Sequence, residues 1–362
     1  MSGILRAPLD VGLLSNVRMG AEIATGLAFL SGRRLSMPFE QPVPPAPRSS
    51  IGSDEQGRPA TLLDLFELPV EIVHADEWTE IGDRRPTEIF DWGEIGHAVC
   101  TIDGEVDLTD PQLVDFANGR TRFVRVPTSV SPVLETRSRL LSFYSYFFHG
   151  RPATLRQLHA VIRGVRPRRA FVELGATIAA GLGPFNALHL RRSDLTIGIP
   201  AYGDVTPDDV AVNLASILPG DELLVICSEV DPADALFDPI RRRFPRIAFA
   251  NDLILRDHRG GFFSLPRHED NALGLVTQEI ATRATGFVGT IGSTFTAMIQ
   301  RQRLLRDPNE RFRFTADFTP DGPVYRNGEF AEIADGSYSW NRIAYAMSPD
   351  VLAWFREWPE AA

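Results

Sequence analysis

From residue 170 onward, short apolar runs alternate with longer stretches of helical spacing, and few patterns restrict a fold more tightly. Helical spacing covers Ala170–Leu182, Pro207–Leu218, Ala233–Phe244, Asn271–Arg283 and Thr294–Leu305. Between them lie the apolar runs Phe185–Leu190, Glu222–Ile226, Ile247–Phe249 and Gly286–Val288. Strands separated by helices imply a parallel sheet covered on both faces.

The first half opens in a similar way, with helical spacing from Val17 to Leu30 and then an apparent strand, Leu35 to Met37, stopped by Pro38. Short elements follow around Leu62–Phe66, Val70–Val73 and Arg122–Val126, and Val133–Phe148 reads as a helix that is apolar on one side. The proline-rich stretch Gln41–Arg48 and the polar stretch Ser49–Arg58 read as an exposed loop at the rim of a cleft. At 362 residues the chain suits two domains of roughly 150 to 200 residues each. The expected division is 1–165, 166–345 and a C-terminal helix in 346–362 that packs back across the first domain.

Composition narrows the partners. Apolar residues make up 44% and charged residues 23%, the balance of a globular protein, and no apolar stretch reaches the roughly 20 residues of a membrane span. The N-terminus shows no basic region leading into an apolar run, so the expectation is a cytoplasmic protein. Cys100 and Cys227 are the only cysteines and read as buried thiols. A net charge of −10 argues against nucleic acid or an anionic membrane surface as the main partner. All 37 basic residues are arginine, which excludes a Schiff-base lysine and a Walker-type phosphate lysine.

In open parallel sheets the ligand lies beyond the carboxyl ends of the strands, which singles out three places. The first is His189-Leu190-Arg191-Arg192-Ser193-Asp194, where Arg191 offers a planar set of donors to a diphosphate or pairs locally with Asp194. His189 reads either as part of that site or as a hydrogen-bonded core residue. The second runs from Gly286 to Phe295, a strand, a turn carrying Gly292 and a helix opening at Ser293 or Thr294. Unpaired amides at the start of a helix suit an anion, although an ordinary N-cap would look the same. The third is Cys227-Ser228-Glu229, where Glu229 could accept from a ribose or base. The clusters His268-Glu269-Asp270 and Asp257-His258 match no metal-binding spacing, and no metal is assigned.

Three segments together resemble the O-fucosyltransferase family, which is related to nodulation-type and core α1,6-fucosyltransferases. They are Gly12–Arg18 with the following helix and Gly32–Pro38, then His189–Asp194, then Leu275–Ala297. The resemblance touches both halves, more loosely between Gln41 and Ala180. It implies an α/β, GT-B-like fold of two Rossmann-like domains whose parallel sheets face a central cleft. It also implies an inverting, metal-independent transfer of fucose from GDP-fucose to a hydroxyl acceptor, with no further cofactor. Carried over by position, Arg191 and Asn16 would be catalytic. Arg191 would neutralise the leaving diphosphate, and Asn16 would face sugar and acceptor. His189, Gly292, Ser293, Thr294, Phe295, Arg18 and Glu279 would contact the nucleotide sugar.

Two departures keep alternatives open. Relatives carry a nucleotide-contacting aspartate where this chain has Thr277, with Glu279 two positions on, and some carry a candidate glutamate base where this chain has Leu13. Another GDP-sugar, or a dTDP- or UDP-sugar, therefore remains a possible donor. So does a catalytically silent nucleotide-binding protein. The acceptor, a glycan, metabolite or peptide, is not specified, and neither is the general base.

Overall fold

The computed structural model describes residues 3–7, 13–39, 41–44, 50–51, 57–73, 88–90, 98–101, 122–125, 133–136, 146–149, 151–192, 206–290, 293–307, 314–315, 331–332 and 338–339. Two parallel sheets organise it. In the first half, strands β1 (Ile4–Arg6), β2 (Arg34–Ser36), β3 (Phe66–Glu67), β4 (Glu88–Phe90), β5 (Ala98–Thr101), β6 (Arg122–Arg125), β7 (Val133–Thr136) and β8 (Tyr146–His149) follow one another, with helix α1 (Leu14–Ser31) between β1 and β2. One sheet has the order β2-β1-β7-β4, all parallel, with Ile4 opposite both Arg34 and Val133. A separate parallel set runs β6-β5-β8.

The second half contributes α2 (Pro152–Arg163), β9 (Arg166–Pro167), α3 (Arg169–Leu182), β10 (Phe185–Leu190), α4 (Pro207–Ile217), β11 (Leu223–Ser228), α5 (Asp238–Arg243), β12 (Ile247–Phe249), α6 (Asp270–Thr282), β13 (Gly286–Thr290), α7 (Thr294–Arg306) and β14 (Phe314–Thr315). Its sheet has the order β12-β11-β10-β13-β14, parallel throughout. Numbered along the chain this is 3-2-1-4-5, so the winding reverses between β10 and β13, and the crevice that binds ligands in such sheets opens there. The architecture is a parallel α/β plan built on two main sheets, as the alternation of strands and helices implies.

Local chemistry explains the element ends. Gly32 closes α1 in the left-handed region at φ +62, and the Arg33 amide returns to the Ala28 carbonyl. Thr206 and Asp209 form a reciprocal capping box at the start of α4, with proline in the first turn. α1 is buried on nearly every side, which is why its hydrophobic spacing is weakly one-sided.

Two readings are corrected. Among its described residues, Val133–Phe148 is not the expected helix. Its ends are strands β7 and β8, and β7 pairs on both edges, with β1 and with β4. The strand opens with two adjacent buried apolar residues, Val133 and Leu134, so no alternation marks it there. Ala233–Phe244 is a 3₁₀ turn, Ala235–Phe237, followed by α5, because Pro239 has no amide to continue one helix through. Helix α2 and strand β1 were not read from the sequence at all. The expected helix at Pro349–Trp358 lies outside the described residues. At the expected boundary, β9 pairs antiparallel with β3, so residues 166–167 return to the first half.

Among the described residues, no helix is long and apolar enough to cross a membrane. One hydrophobic core runs through both halves, from Leu5 and Leu35 to Phe185 and Phe287, and a second lies on the outer face of the second sheet around Leu214 and Phe237.

Candidate functional site

The strand ends at the reversal point must part, and hydroxyls hold them as they do. Thr290 Oγ1 donates to the His189 carbonyl at 2.9 Å and accepts from the Arg191 amide at 3.0 Å, tying β13 to the exit of β10. On the other side Ser228 Oγ donates to the Leu190 carbonyl at 2.7 Å and accepts from the Val230 amide at 3.2 Å. Glu229 Oε1 accepts from the Arg192 amide at 2.7 Å. Backbone groups that the sheet no longer pairs are thus satisfied by side chains.

A cleft forms directly beyond these ends. Leu13, Leu14 and Ser15 from the start of α1 line it on one side, and His189, Arg191, Thr294, Phe295, Thr277, Glu229 and Asp270 from the second half line the other. Ser50 and Asn251 complete its rim. The Ser50 amide donates to Asp270 Oδ1 at 3.1 Å and its hydroxyl accepts from Asn251 Nδ2 at 2.9 Å. The cleft is therefore walled by both halves, as expected of the loop that carries Ser50.

His189 is buried in the cleft floor. Its Nδ1 is hydrogen-bonded to Thr296 Oγ1 at 2.7 Å, and its ring stacks on Phe295 at 4.7 Å between centroids. Desolvation, with a smaller push from Arg191, lowers its pKa to about 3, so the imidazole is neutral at ordinary pH. Between pH 6.5 and about 3 the unfolded chain takes up a proton here that the folded chain refuses. Stability contributed by the neutral ring is complete above pH 6.5 and is lost as pH falls towards 3. Chemical denaturation at pH 7 and pH 5 is expected to show the wild type losing about 2 kcal/mol more than His189→Asn. Equal losses would show that His189 titrates normally in the folded protein.

Cys227 also lines the cleft, but burial pushes its thiol up to about 12, which leaves it protonated and a poor nucleophile. Ser293 is fully buried at the N-cap of α7, and its hydroxyl has no hydrogen-bond partner among the described residues. The hydroxyl lies at the positive end of a 13-residue helix, the end that favours negative charge.

The expected residues divide accordingly. Arg191, His189, Thr294 and Phe295 come together at the cleft, with Ser293 immediately behind Thr294. Asn16 sits in the first turn of α1, next to the lining residue Ser15, and its buried Oδ1 has no hydrogen-bond partner among the described residues. Gly292 and Asp194 lie outside the described residues.

Arg18 and Glu279 do not line the cleft. Arg18 is 1% exposed, pairs with Glu22 at 3.2 Å, donates to the Val165 carbonyl and lies over the Phe66 ring. Desolvation lowers its pKa against the opposing pull of Glu22. Glu279 pairs with Arg283 and packs where Gly175 leaves room on α3, and burial raises its pKa in spite of Arg283. Both were expected at the nucleotide sugar; Arg18 is held in the core instead, and Glu279 pairs with the exposed Arg283 away from the cleft lining.

Sequence reasoning gave no role to Thr296, and it named Ser228 and Thr290 only as members of strand-end segments. For those two, a small hydroxyl at the strand's last position was the available signal. Among the described residues, no group of three or more His, Cys, Asp or Glu is placed to hold a metal ion.

Neither a protein-family model nor a curated protein matches the sequence. In structure the chain is similar to POFUT1 in complex with GDP, at 14% identity and a TM-score of 0.46, covering 86% of this chain and 98% of that one. It is similar to POFUT1 in complex with GDP-fucose at 13% identity and a TM-score of 0.43, covering 83% and 94%. It is also similar to fucosyltransferase NodZ from Bradyrhizobium at 12% identity and a TM-score of 0.45, covering 83% and 94%.

Proposed function

We propose that the chain is a glycosyltransferase that takes its sugar from a nucleoside diphosphate donor, with GDP-fucose as that donor. The observation that carries this reading is the meeting of Arg191 with the N-terminus of α7 at the reversal point of the second sheet, facing the start of α1 across a cleft. A fixed cation and a set of unpaired helix amides converge where a diphosphate would lie.

In that reading, Arg191 and the first turn of α7 bind the diphosphate and take up the charge that grows on it as the glycosidic bond breaks. Preorganised donors of this kind stabilise a developing anion without reorganising during the reaction. The acceptor hydroxyl approaches from the α1 side and displaces the diphosphate in line, inverting the anomeric carbon. His189, neutral and stacked on Phe295, holds the floor in shape and supplies a hydrogen-bonding edge that does not change charge with pH. Glu229 and Asp270 place carboxylate acceptors at the rim, where ribose hydroxyls or base amino groups would be read. The protein is read as acting in the cytoplasm.

Thermal unfolding in EDTA with GDP, UDP, dTDP, ADP and CDP tests the reading. Ligand at about 100 times its Kd adds roughly 2.7 kcal/mol, so GDP is expected to raise Tm clearly and the others less. A preference for another nucleotide would change the donor and keep the reaction class. No shift with any of them would remove the proposal.

A further inference from the structure

Helix α1 belongs to the first sheet, yet one of its faces is docked on α6 and α7 of the second half. Leu14 packs on Gly274, so closely that a Cβ there would sit 3.1 Å from Leu14 Cδ2. Ser15 Oγ accepts from Gln278 Nε2 at 3.0 Å. Further in, Arg301 Nη1 donates to Glu22 Oε2 at 2.8 Å, while Arg18 Nε lies 3.2 Å from Glu22 Oε1. Residues 15, 18 and 22 share one helix face by spacing.

Arg18, Glu22 and Arg301 are 1%, 3% and 3% exposed. A buried triad of this kind is an inefficient way to add stability, because desolvating three charges cancels most of their attraction. What it does provide is register. Apolar surfaces tolerate sliding, whereas any slide of α1 past α7 would leave a buried charge without its partner. The triad lies about two turns from the cleft along both helices, and the first turns of the same two helices are opposite walls of that cleft.

We propose that Glu22 is a positioning residue: the Arg18–Glu22–Arg301 triad locks α1 to α7, so that the cleft is preformed and the two halves do not hinge to create it. The lock rests on the reading above only in making α7 the donor side. Its consequence is that reactant spacing is set in the free protein, and a displacement of about 1 Å would cost about 100-fold in rate.

Pulsed dipolar EPR tests the lock directly. Nitroxides are placed at Phe29→Cys on α1 and Val212→Cys on α4, both exposed positions, with Cys100→Ser, while the buried Cys227 thiol stays unlabelled. The wild-type background is expected to give one narrow distance that saturating GDP leaves unchanged. Glu22→Gln is expected to broaden or split that distance while GDP affinity is retained, because the nucleotide groups all belong to the second half. The apolar triple variant Arg18→Met, Glu22→Leu, Arg301→Met, in which packing replaces the charges, is expected to fold and still show a broadened distance.

Two distances in the wild-type background, or a shift on adding GDP, would overturn the lock. So would a single wild-type-like distance in the triple variant, since packing alone would then set the register. Absence of GDP binding would count against the functional reading, while the ligand-free distances would still decide the lock.

Discussion

Arg191→Ala is expected to lower turnover of GDP-fucose by about 10² to 10³-fold and to leave the thermal melt close to wild type. The two effects separate because of where the residue sits. The Arg191 backbone amide, bonded to Thr290 Oγ1, holds the strand end and survives the substitution. The side chain lines the cleft, beside the first turn of α7. On the proposed reading, what is lost is charge opposite a leaving diphosphate, a contribution of about 3 to 4 kcal/mol realised chiefly in the transition state. Arg191→Lys restores the charge without the planar fork and is expected to recover only part of the rate. Release of fucose and GDP measured by coupled assay decides the matter, and full activity in the alanine variant would refute the role given to Arg191.

The second large effect is expected at a residue that touches no ligand. A methyl group on Gly289 would lie 2.2 Å from Thr296 Cγ2 and 2.8 Å from its Oγ1. No rearrangement of a flexible chain end can absorb this, because Thr296 is buried in the first turn of α7 and its hydroxyl is bound to His189 Nδ1. Either α7 moves off the strand or Thr296 turns and releases the histidine. Gly289→Ala is therefore expected to cost about 1 to 3 kcal/mol and to weaken GDP binding as well, since the helix end proposed to meet the diphosphate is displaced. Adding Thr296→Ala removes the clashing atoms and is expected to regain part of the stability, a non-additive result that independent sites would not give. Calorimetry on the two single variants and the double variant measures it, and a Gly289→Ala protein with wild-type Tm and GDP affinity would contradict the packing described.

Much of the second half was legible because its periods are clean. Strand Phe185–Leu190 and strand Ile247–Phe249 lie where the apolar runs place them, and the helix ends at Thr206 and Ser293 carry ordinary capping residues. Residues just beyond strands in a parallel sheet have few places to go, which is why the segments carrying Arg191, Thr294 and Phe295 stood out, while bringing them to one site rested on the family resemblance. The first half resisted the same method. In β7 both edges are paired and the adjacent residues Val133 and Leu134 are both buried, so they carry no alternation, and a helix was as good a reading as a strand.

Charged residues mark the other limit. Arg18 and Glu279 stand in the right segments for a ligand contact, and nothing within a few residues of either tells a surface charge from a buried one. Arg18 is fixed by Glu22 nearby and by Val165 and Phe66 far along the chain, and Glu22 in turn by Arg301. The sequence by itself determined the alternation of strands and helices, the parallel sheets that follow from it, and the strand ends where an anion would be met. These are local properties, written in the spacing of apolar residues and in the chemistry of helix starts. Which charges face the cleft and which hold the two halves together was decided only by the tertiary structure, because the cost of burying a charge depends on partners that distant parts of the chain supply.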